Sequence, residues 1–450
     1  MGDAPRRWPA LPAKTTGREV GTWRLATVPL LAGAGLRVLV VVCVQVLHGN
    51  FVFLDDRSYD RIGWFLAQAW HQHRYPSLET VTGTSSDLYY VFVAAVYYVS
   101  GHHWLVVKLI DALLSALSVP AAAAIGVCVD GRRLGSAAAW LTALYPSAVF
   151  WGATGLKDGP MAALALAIAA IALRPLTVRR LGCAVALIVV ALLCRPVEGV
   201  MGLAMMAVPT AGFVRGHWPS PHDAGRTWPR VLMLLAGIAT ALAAVSVLAA
   251  ERYLPRVSVS LARHAAPTLA NGAVSVSLLP TPFAIVHALV NPIRWFGPAA
   301  DSAYPALVPG ALIWLLLLPA AGIGCWMLLR RGSWACRGVL VSVFVYLYVY
   351  TCVFQSEGFS RQRYTVETLL LISGLYAFRR LPRIAALSTA VGACAIGCAQ
   401  LIVTRALRPA EVALLAGTAG LLWLDQNRAR RARAARLWRG TRRQRAGGTP

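Results

Sequence analysis

The chain has 450 residues, of which 58% are hydrophobic and only 14% are charged, with a net charge of +25 and a mean hydropathy of +0.60. Soluble domains average about 45–50% apolar and about 25% charged residues, so this composition excludes a soluble enzyme, a secreted disulfide-bonded scaffold and a disordered chain. Apolar runs such as 231–250 and 306–329 are long enough to cross a hydrocarbon core of about 30 Å. The sequence therefore predicts an all-α, polytopic membrane protein.

The basic residues lie between the apolar runs and do not form a soluble patch. They therefore set the orientation of a membrane protein and do not indicate nucleic-acid binding. Taken in chain order, the apolar runs predict about 12 transmembrane helices. The predicted spans are 26–47, 104–129, 134–150, 159–174, 181–194, 197–214, 230–250, 306–329, 337–354, 364–378, 384–404 and 410–424.

These spans divide the chain into four parts and two long outer loops. The parts are a basic cytoplasmic N-terminus (1–25), a first transmembrane module (26–214, with an outer loop at 48–103), a second transmembrane module (215–424, with an outer loop at 251–305) and a cytoplasmic tail (425–450). Loops of this length are usually functional. The tail is rich in arginine, so we expect it to bind anionic membrane lipids on the cytoplasmic leaflet.

One apolar and aromatic segment, Asp87–Ser100, is too short for a full span and is predicted to be an outer juxtamembrane helix. If it does not cross, most Lys and Arg residues of the later loops share the side of the N-terminus, as the positive-inside rule requires. Most of the 18 Asp and Glu residues then face the other side. This predicts a protein of the cell membrane whose active face is extracytoplasmic.

An acidic pair, Asp55-Asp56, directly follows the first predicted span, with Arg57 and Tyr59 beside it. Carboxylates at this depth are candidates for acid–base chemistry. The alternative is a helix N-cap, for which one aspartate is enough. The next residues show apolar side chains at helical spacing, which predicts an amphipathic helix whose apolar stripe lies on the membrane surface. The stripe consists of Ile62, Phe65, Leu66 and Ala69.

Charged residues also flank two later spans. Lys157-Asp158 occupies a short outer loop and is a candidate for the same site; the alternative is an interfacial ion pair. Glu357 precedes Arg361 and Arg363, whose guanidinium groups could hold a phosphate by bidentate hydrogen bonds. The alternative there is an ordinary contact with lipid headgroups.

Lys108 and Asp111 lie one helical turn apart near the outer end of the second span, and we predict that they pair. Lys108 is alternatively a ligand of a lipid phosphate. The paired histidines of the first outer loop lack carboxylates at ligand spacing, so we predict no metal site. They are His71, His73, His102 and His103.

Five segments, taken in order and spacing, resemble the C-type (GT-C) glycosyltransferases. The resemblance is closest to the protein O-mannosyltransferases and the lipid A aminoarabinose transferases, and it covers roughly residues 30–175. Lys108 and Asp111 stand where that family carries arginine and asparagine. The five segments are Asp55–Tyr59, Lys108–Leu113, Gly131–Gly135, Tyr145–Trp151 and Lys157-Asp158.

The resemblance implies a GT-C-like fold and an enzyme that moves a sugar from a polyprenyl-phosphate donor to a glycan, lipid or protein acceptor. It implies no cofactor. Asp55 would be the catalytic base, with Asp56 and Asp158 in the same catalytic group. The donor and its phosphate would contact a larger set of residues: Arg57, Tyr59, Lys108, Lys157, Glu357, Arg361 and Arg363.

Two other functions are compatible with a polytopic chain. A transporter or lipid flippase would place ionisable groups at mid-membrane depth, where this sequence has Arg37. A non-catalytic scaffold of the cell envelope is the second alternative.

Overall fold

A computed structural model describes residues 16–49, 51, 54–77, 81, 88–216, 304–349 and 359–401. All regular structure in these ranges is α-helical, as the composition predicts. The helices are α1 (Thr16–His48), α2 (Leu54–His71), α3 (Leu88–Ser100), α4 (Trp104–Ala116), α5 (Ser118–Asp130), α6 (Arg132–Leu144), α7 (Pro146–Trp151), α8 (Asp158–Ala172), α9 (Val178–Cys194), α10 (Pro196–Gly216), α11 (Tyr304–Arg331), α12 (Trp334–Val349), α13 (Phe359–Arg380) and α14 (Pro382–Leu401).

Three helical segments of the described chain are long and apolar enough to cross a bilayer, which is typical of a helical membrane protein. They are Trp23–Leu47, Trp104–Asp130 and Pro309–Arg331. The middle segment combines α4 and α5, because Leu117 between them keeps helical backbone angles. The predicted spans 230–250 and 410–424 lie outside the described residues, and a total of 12 spans remains a prediction.

The predicted span 134–150 is broken, because α6 ends at Leu144 and α7 begins at Pro146. Proline has no N–H to donate and disfavours helical angles in the residue before it. Tyr145 is accordingly extended, with φ −64° and ψ 117°. The fully buried Arg37 of α1 donates to the carbonyls of Thr142 (3.2 Å) and Ala143 (3.5 Å). Its guanidinium therefore binds the last turn of α6 beside the break.

Helices α2 and α3 pack against each other as a hairpin. A Cβ atom on Gly63 would lie 2.4 Å from Val93 Cγ1, so the two helices touch at this glycine. Leu66 and Ala69 are buried, whereas Phe65 is half exposed. The prediction that this stripe lies on the membrane is therefore wrong for Leu66 and Ala69, because they face other helices.

The second helix of the hairpin, α3, corresponds to the predicted juxtamembrane segment Asp87–Ser100. Helix α3 has 13 residues. At a rise of about 1.5 Å per residue it is about 20 Å long, shorter than a hydrocarbon core of about 30 Å. Its length agrees with a helix that does not cross the membrane by itself.

Polar contacts hold the bundle together at different levels. At one end, Asp130 of α5 forms ion pairs with Arg379 (3.1 Å) and with Arg380 of α13. In the interior, the Tyr145 hydroxyl donates to Glu367 Oε2 at 3.0 Å. The opposite end contains the last turn of α1 and the first turns of α4, α8 and α10. The candidate site lies there.

Candidate functional site

Five charged side chains are buried at this end of the bundle, each no more than 2% exposed. We call them the polar cluster: Asp56, Lys108, Asp111, Asp158 and Glu198. Buried charges in a membrane protein are costly and commonly mark a functional site. The sequence predicted four of the five as notable residues, and Glu198 was not selected.

Lys108 lies in α4 with its side chain directed at the last turn of α1. Its Nζ donates to Gln45 Oε1 and to the Gly49 carbonyl, both at 3.4 Å, the long end of the hydrogen-bond range. Asp56 is near enough to interact with it electrostatically. The predicted pairing of Lys108 with Asp111 is wrong, because Asp111 bonds to a different helix.

Asp111 contacts Tyr89 of α3. The Tyr89 hydroxyl lies within hydrogen-bonding distance of Asp111 Oδ2 and is 2.9 Å from the Gly155 carbonyl oxygen. The second carboxylate oxygen, Oδ1, is buried and has no partner. Burial raises the pKa of the Tyr89 phenol well above its ordinary value. Tyr89 therefore keeps its proton at neutral pH.

Asp55 and Asp56 both lie in the first turn of α2, which begins at Leu54. Asp55 is exposed and Asp56 is completely buried. Two acids at a helix N-terminus are favourable because the helix dipole is positive there. The reading of Asp56 as an N-cap is wrong, since it lies within the helix. The two neighbours thus occupy different environments.

Asp158 begins α8 and takes a hydrogen bond from Arg195, with Nη2 2.7 Å from Oδ1. The other guanidinium nitrogen of Arg195 donates to Glu198 Oε1 at 2.9 Å, and the Tyr346 hydroxyl donates to the same oxygen at 3.0 Å. Glu198 Oε2 is buried without a partner. This network ties α8, α10 and α12 together.

Arg195, Tyr89, Glu198 and Tyr346 were not predicted as site residues. A signal existed for two of them: Arg195 and Glu198 stand three residues apart around Pro196, in a tight turn between two apolar runs. For Tyr89 and Tyr346 the sequence offers no such signal, because aromatic residues are frequent in this chain.

Tyr59 and Lys157 join the parts of the site. Tyr59 is buried, and its ring meets that of Tyr89 edge-on with 4.7 Å between centroids. Lys157 Nζ lies 5.6 Å from the Tyr59 ring centroid and donates to the Cys194 carbonyl at 3.3 Å. The acidic pair, Lys157 and Asp158 are thus brought to one place, although about 100 residues of sequence separate them.

The remaining predicted ligands are Arg57, Glu357, Arg361 and Arg363. Arg57 is exposed, with its guanidinium 6.0 Å from the Phe51 ring centroid. Arg361 and Arg363 lie in the first turns of α13, and Glu357 lies outside the described residues. In the described ranges no group of three or more His, Cys, Asp or Glu side chains is arranged to hold a metal.

A smaller polar group lies on the α2–α3 hairpin around Asp60. Its Oδ1 accepts from the Tyr97 hydroxyl and lies 2.9 Å from His102 Nε2. The His102 ring is stacked on Trp64, with centroids 4.6 Å apart. Burial and the bond to Asp60 raise the pKa of the Tyr97 phenol. These contacts fix the hairpin to the start of α4.

No family model matches the sequence, and no curated protein is detectably similar to it. Among solved structures, the chain is similar to the archaeal oligosaccharyltransferase AglB from Archaeoglobus fulgidus in complex with an inhibitory peptide and a dolichol-phosphate (16% identity, TM-score 0.46). It is also similar to the Archaeoglobus fulgidus oligosaccharyltransferase in the apo form (14% identity, TM-score 0.41). Each match covers 90% of this chain and 56% of the other, so this chain spans about half their length.

Proposed function

We propose that this protein is an integral membrane glycosyltransferase that moves a sugar from a polyprenyl-phosphate donor to a cell-envelope acceptor on the extracytoplasmic face. The observation that carries the proposal is the burial of Lys108 and the nature of its hydrogen-bond partners. It is a buried cation whose two hydrogen bonds, to Gln45 and Gly49, are long and go to neutral acceptors. An ammonium group has three N–H donors, so Lys108 can still bind an anion.

A lipid phosphate is an anion suited to this position. Hydrogen bonds between an ammonium group and a phosphate are charge-assisted and roughly twice as strong as neutral ones. A cation in a water-poor site also stabilises the negative charge that develops on a leaving phosphate. Lys108 lies beside the end of α1, where a lipid headgroup would meet the bundle. It is therefore the primary phosphate ligand in our proposal.

In this mechanism the two residues of the acidic pair, Asp55 and Asp56, have different functions. Asp55 is exposed, so an acceptor hydroxyl can reach its carboxylate without rearrangement of the helix. It accepts the hydroxyl proton as the oxygen attacks the anomeric carbon. Asp56 is buried and interacts electrostatically with Lys108, so it positions the cation.

Other residues support the same reaction. Lys157 and Tyr59 line the site beside the acidic pair, and Asp158 is held by Arg195, which suits a positioning function better than proton transfer. Arg57, Glu357, Arg361 and Arg363 remain proposed contacts of the donor or its phosphate. The Arg-rich tail binds anionic lipids on the cytoplasmic leaflet in this proposal.

A transporter is less well supported. Its expected mid-membrane charge, Arg37, donates to Ser115 Oγ and to the carbonyls of Gly33, Thr142 and Ala143, and it also interacts with Tyr364 of α13. These contacts give it a structural function at the α6–α7 break.

The test is sugar transfer by the purified protein in lipid nanodiscs, supplied with a panel of polyprenyl-phosphate hexoses and pentoses and with cell-envelope extract as acceptor. Lys108→Gln should weaken binding of polyprenyl phosphate by about 1.5–3 kcal/mol, or about ten- to 150-fold, because it removes a charge-assisted contact. Arg179→Gln, at an exposed position of α9, is the control. Unchanged binding in Lys108→Gln, or no transfer with any donor, would contradict the proposal.

A further inference from the structure

The Tyr89 hydroxyl lies within hydrogen-bonding distance of two oxygen atoms, but its single proton can be donated to only one of them. It lies 2.9 Å from the Gly155 carbonyl oxygen and in hydrogen-bonding contact with Asp111 Oδ2. A carbonyl oxygen can only accept, and so can an ionised carboxylate. A phenol has one proton to donate. Both contacts are hydrogen bonds at the same time only if one partner brings a proton of its own.

Asp111 is the partner that can bring this proton. A protonated Asp111 donates from Oδ2 to the Tyr89 oxygen, and Tyr89 then donates to Gly155. This arrangement satisfies all three oxygens in one chain of hydrogen bonds. Gly155 suits this position because its φ is positive (+71°) and because a Cβ there would lie 2.9 Å from Lys108 Cγ.

The other oxygen of Asp111 favours the same protonation state. Oδ1 is buried and has no hydrogen-bond partner. An ionised carboxylate with an unpartnered buried oxygen is far more costly than a neutral carboxylic acid in the same place. The nearby negative charge of Asp158 adds to that cost. The nearest cation along the helix, Lys108, is directed at α1.

We propose that Asp111 is buried as a neutral carboxylic acid that donates to Tyr89, and that its neutrality keeps Lys108 available for the donor phosphate. The second half rests on the proposed function. An ionised Asp111 would attract the lysine one turn away on the same face of α4. A neutral Asp111 does not compete with the phosphate. Asp111 and Tyr89 are thus positioning residues that set the charge of the site.

The protonation state of Asp111 has a direct spectroscopic test. The infrared difference spectrum between the unmodified protein and Asp111→Asn at neutral pH should show loss of the carbonyl band of a carboxylic acid. Loss of carboxylate bands instead would overturn the proposal, whether or not the protein transfers sugar. A thermal-unfolding comparison confirms that both proteins are folded before the spectra are subtracted.

The consequence for Lys108 is tested by binding of a fluorescent polyprenyl phosphate as a function of pH. Asp111→Asn fixes position 111 as neutral, so its affinity should follow the same pH profile as that of the unmodified protein, since Lys108 and Asp56 are present in both. An ionised Asp111 would make the two profiles diverge, because only the unmodified protein would carry a charge at position 111.

Two results would separate this inference from the proposed function. A change in the pH profile of binding on replacing Asp111 by Asn would show a charge on Asp111 and overturn the link to Lys108. No binding of polyprenyl phosphate by the unmodified protein would overturn the proposed function and the assignment of Lys108. The infrared bands would still decide the protonation of Asp111.

Discussion

Arg195 and Asp158 form a buried ion pair, with 2.7 Å between Nη2 and Oδ1, across 37 positions of sequence. Asp158 begins α8, and Arg195 lies in the turn between α9 and α10. The pair therefore fixes the two turns that bring Lys157 and Glu198 to the same end of the bundle. It is a cross-link on which the geometry of the candidate site depends.

The first prediction concerns this pair. Arg195→Met should lower the free energy of unfolding by about 3–5 kcal/mol, because it removes the cation that pairs with two buried carboxylates, Asp158 and Glu198. Thermal or denaturant unfolding in detergent measures the effect. Arg179→Met, on the exposed side of α9, should change stability by no more than about 0.5 kcal/mol. Equal stability of the two variants would show that the ion pair is not needed for folding.

The second prediction separates the two acids of α2. Asp55→Asn should reduce sugar transfer at least about 10²-fold while donor binding survives, because only the base is removed. Asp56→Asn should weaken donor binding and transfer together, since it removes the charge that acts on Lys108. Transfer rates and polyprenyl-phosphate affinity are measured for both. A large loss of turnover only in Asp56→Asn would move the base by one residue, and small equal losses would refute both assignments.

Some features of the site could be predicted from neighbouring residues in the sequence, whereas others depend on contacts between distant helices. The acidic pair and the Lys157-Asp158 turn follow from local signals, whereas the predicted span 134–150 runs through the helix break at Pro146. Lys108 and Asp111 show the limit of local reasoning. Spacing alone predicts a pair, but Tyr89, 22 positions before Asp111, takes the carboxylate instead. Partners contributed by distant helices leave no trace in sequence spacing.

The third prediction concerns the arginines at the start of α13. Arg361→Gln or Arg363→Gln should weaken binding of polyprenyl phosphate by about 1.5–3 kcal/mol, because each would remove a charge-assisted phosphate contact. The unfolding midpoint should change less than the affinity does. Arg383→Gln, an exposed arginine in the first turn of α14, serves as the control. Undiminished affinity in both α13 variants would remove these residues from the donor site.

The fourth prediction is the side of the membrane on which the site lies. Gly155 is a poor position for a labelling cysteine, because it is buried and has a positive φ. Tyr75 is 77% exposed after α2 and suits this purpose. In a protein without native cysteines, Tyr75→Cys should react with a membrane-impermeant thiol reagent on intact cells. Arg132→Cys, at the other end of the bundle, should react only after lysis; the reverse pattern would invert the topology.

Polar contacts at three levels of the bundle join helices that precede residue 217 to helices that follow residue 303. Tyr346 bonds Glu198 at the site, Tyr145 bonds Glu367 in the interior, and Arg379 pairs with Asp130 at the far end. These contacts lie at both ends and in the interior of the bundle. We therefore expect the part before residue 217 and the part after residue 303 to associate without a peptide connection between them. Co-expressed as separate polypeptides divided between 217 and 303, they should assemble and co-purify, which makes the protein suited to fragment complementation.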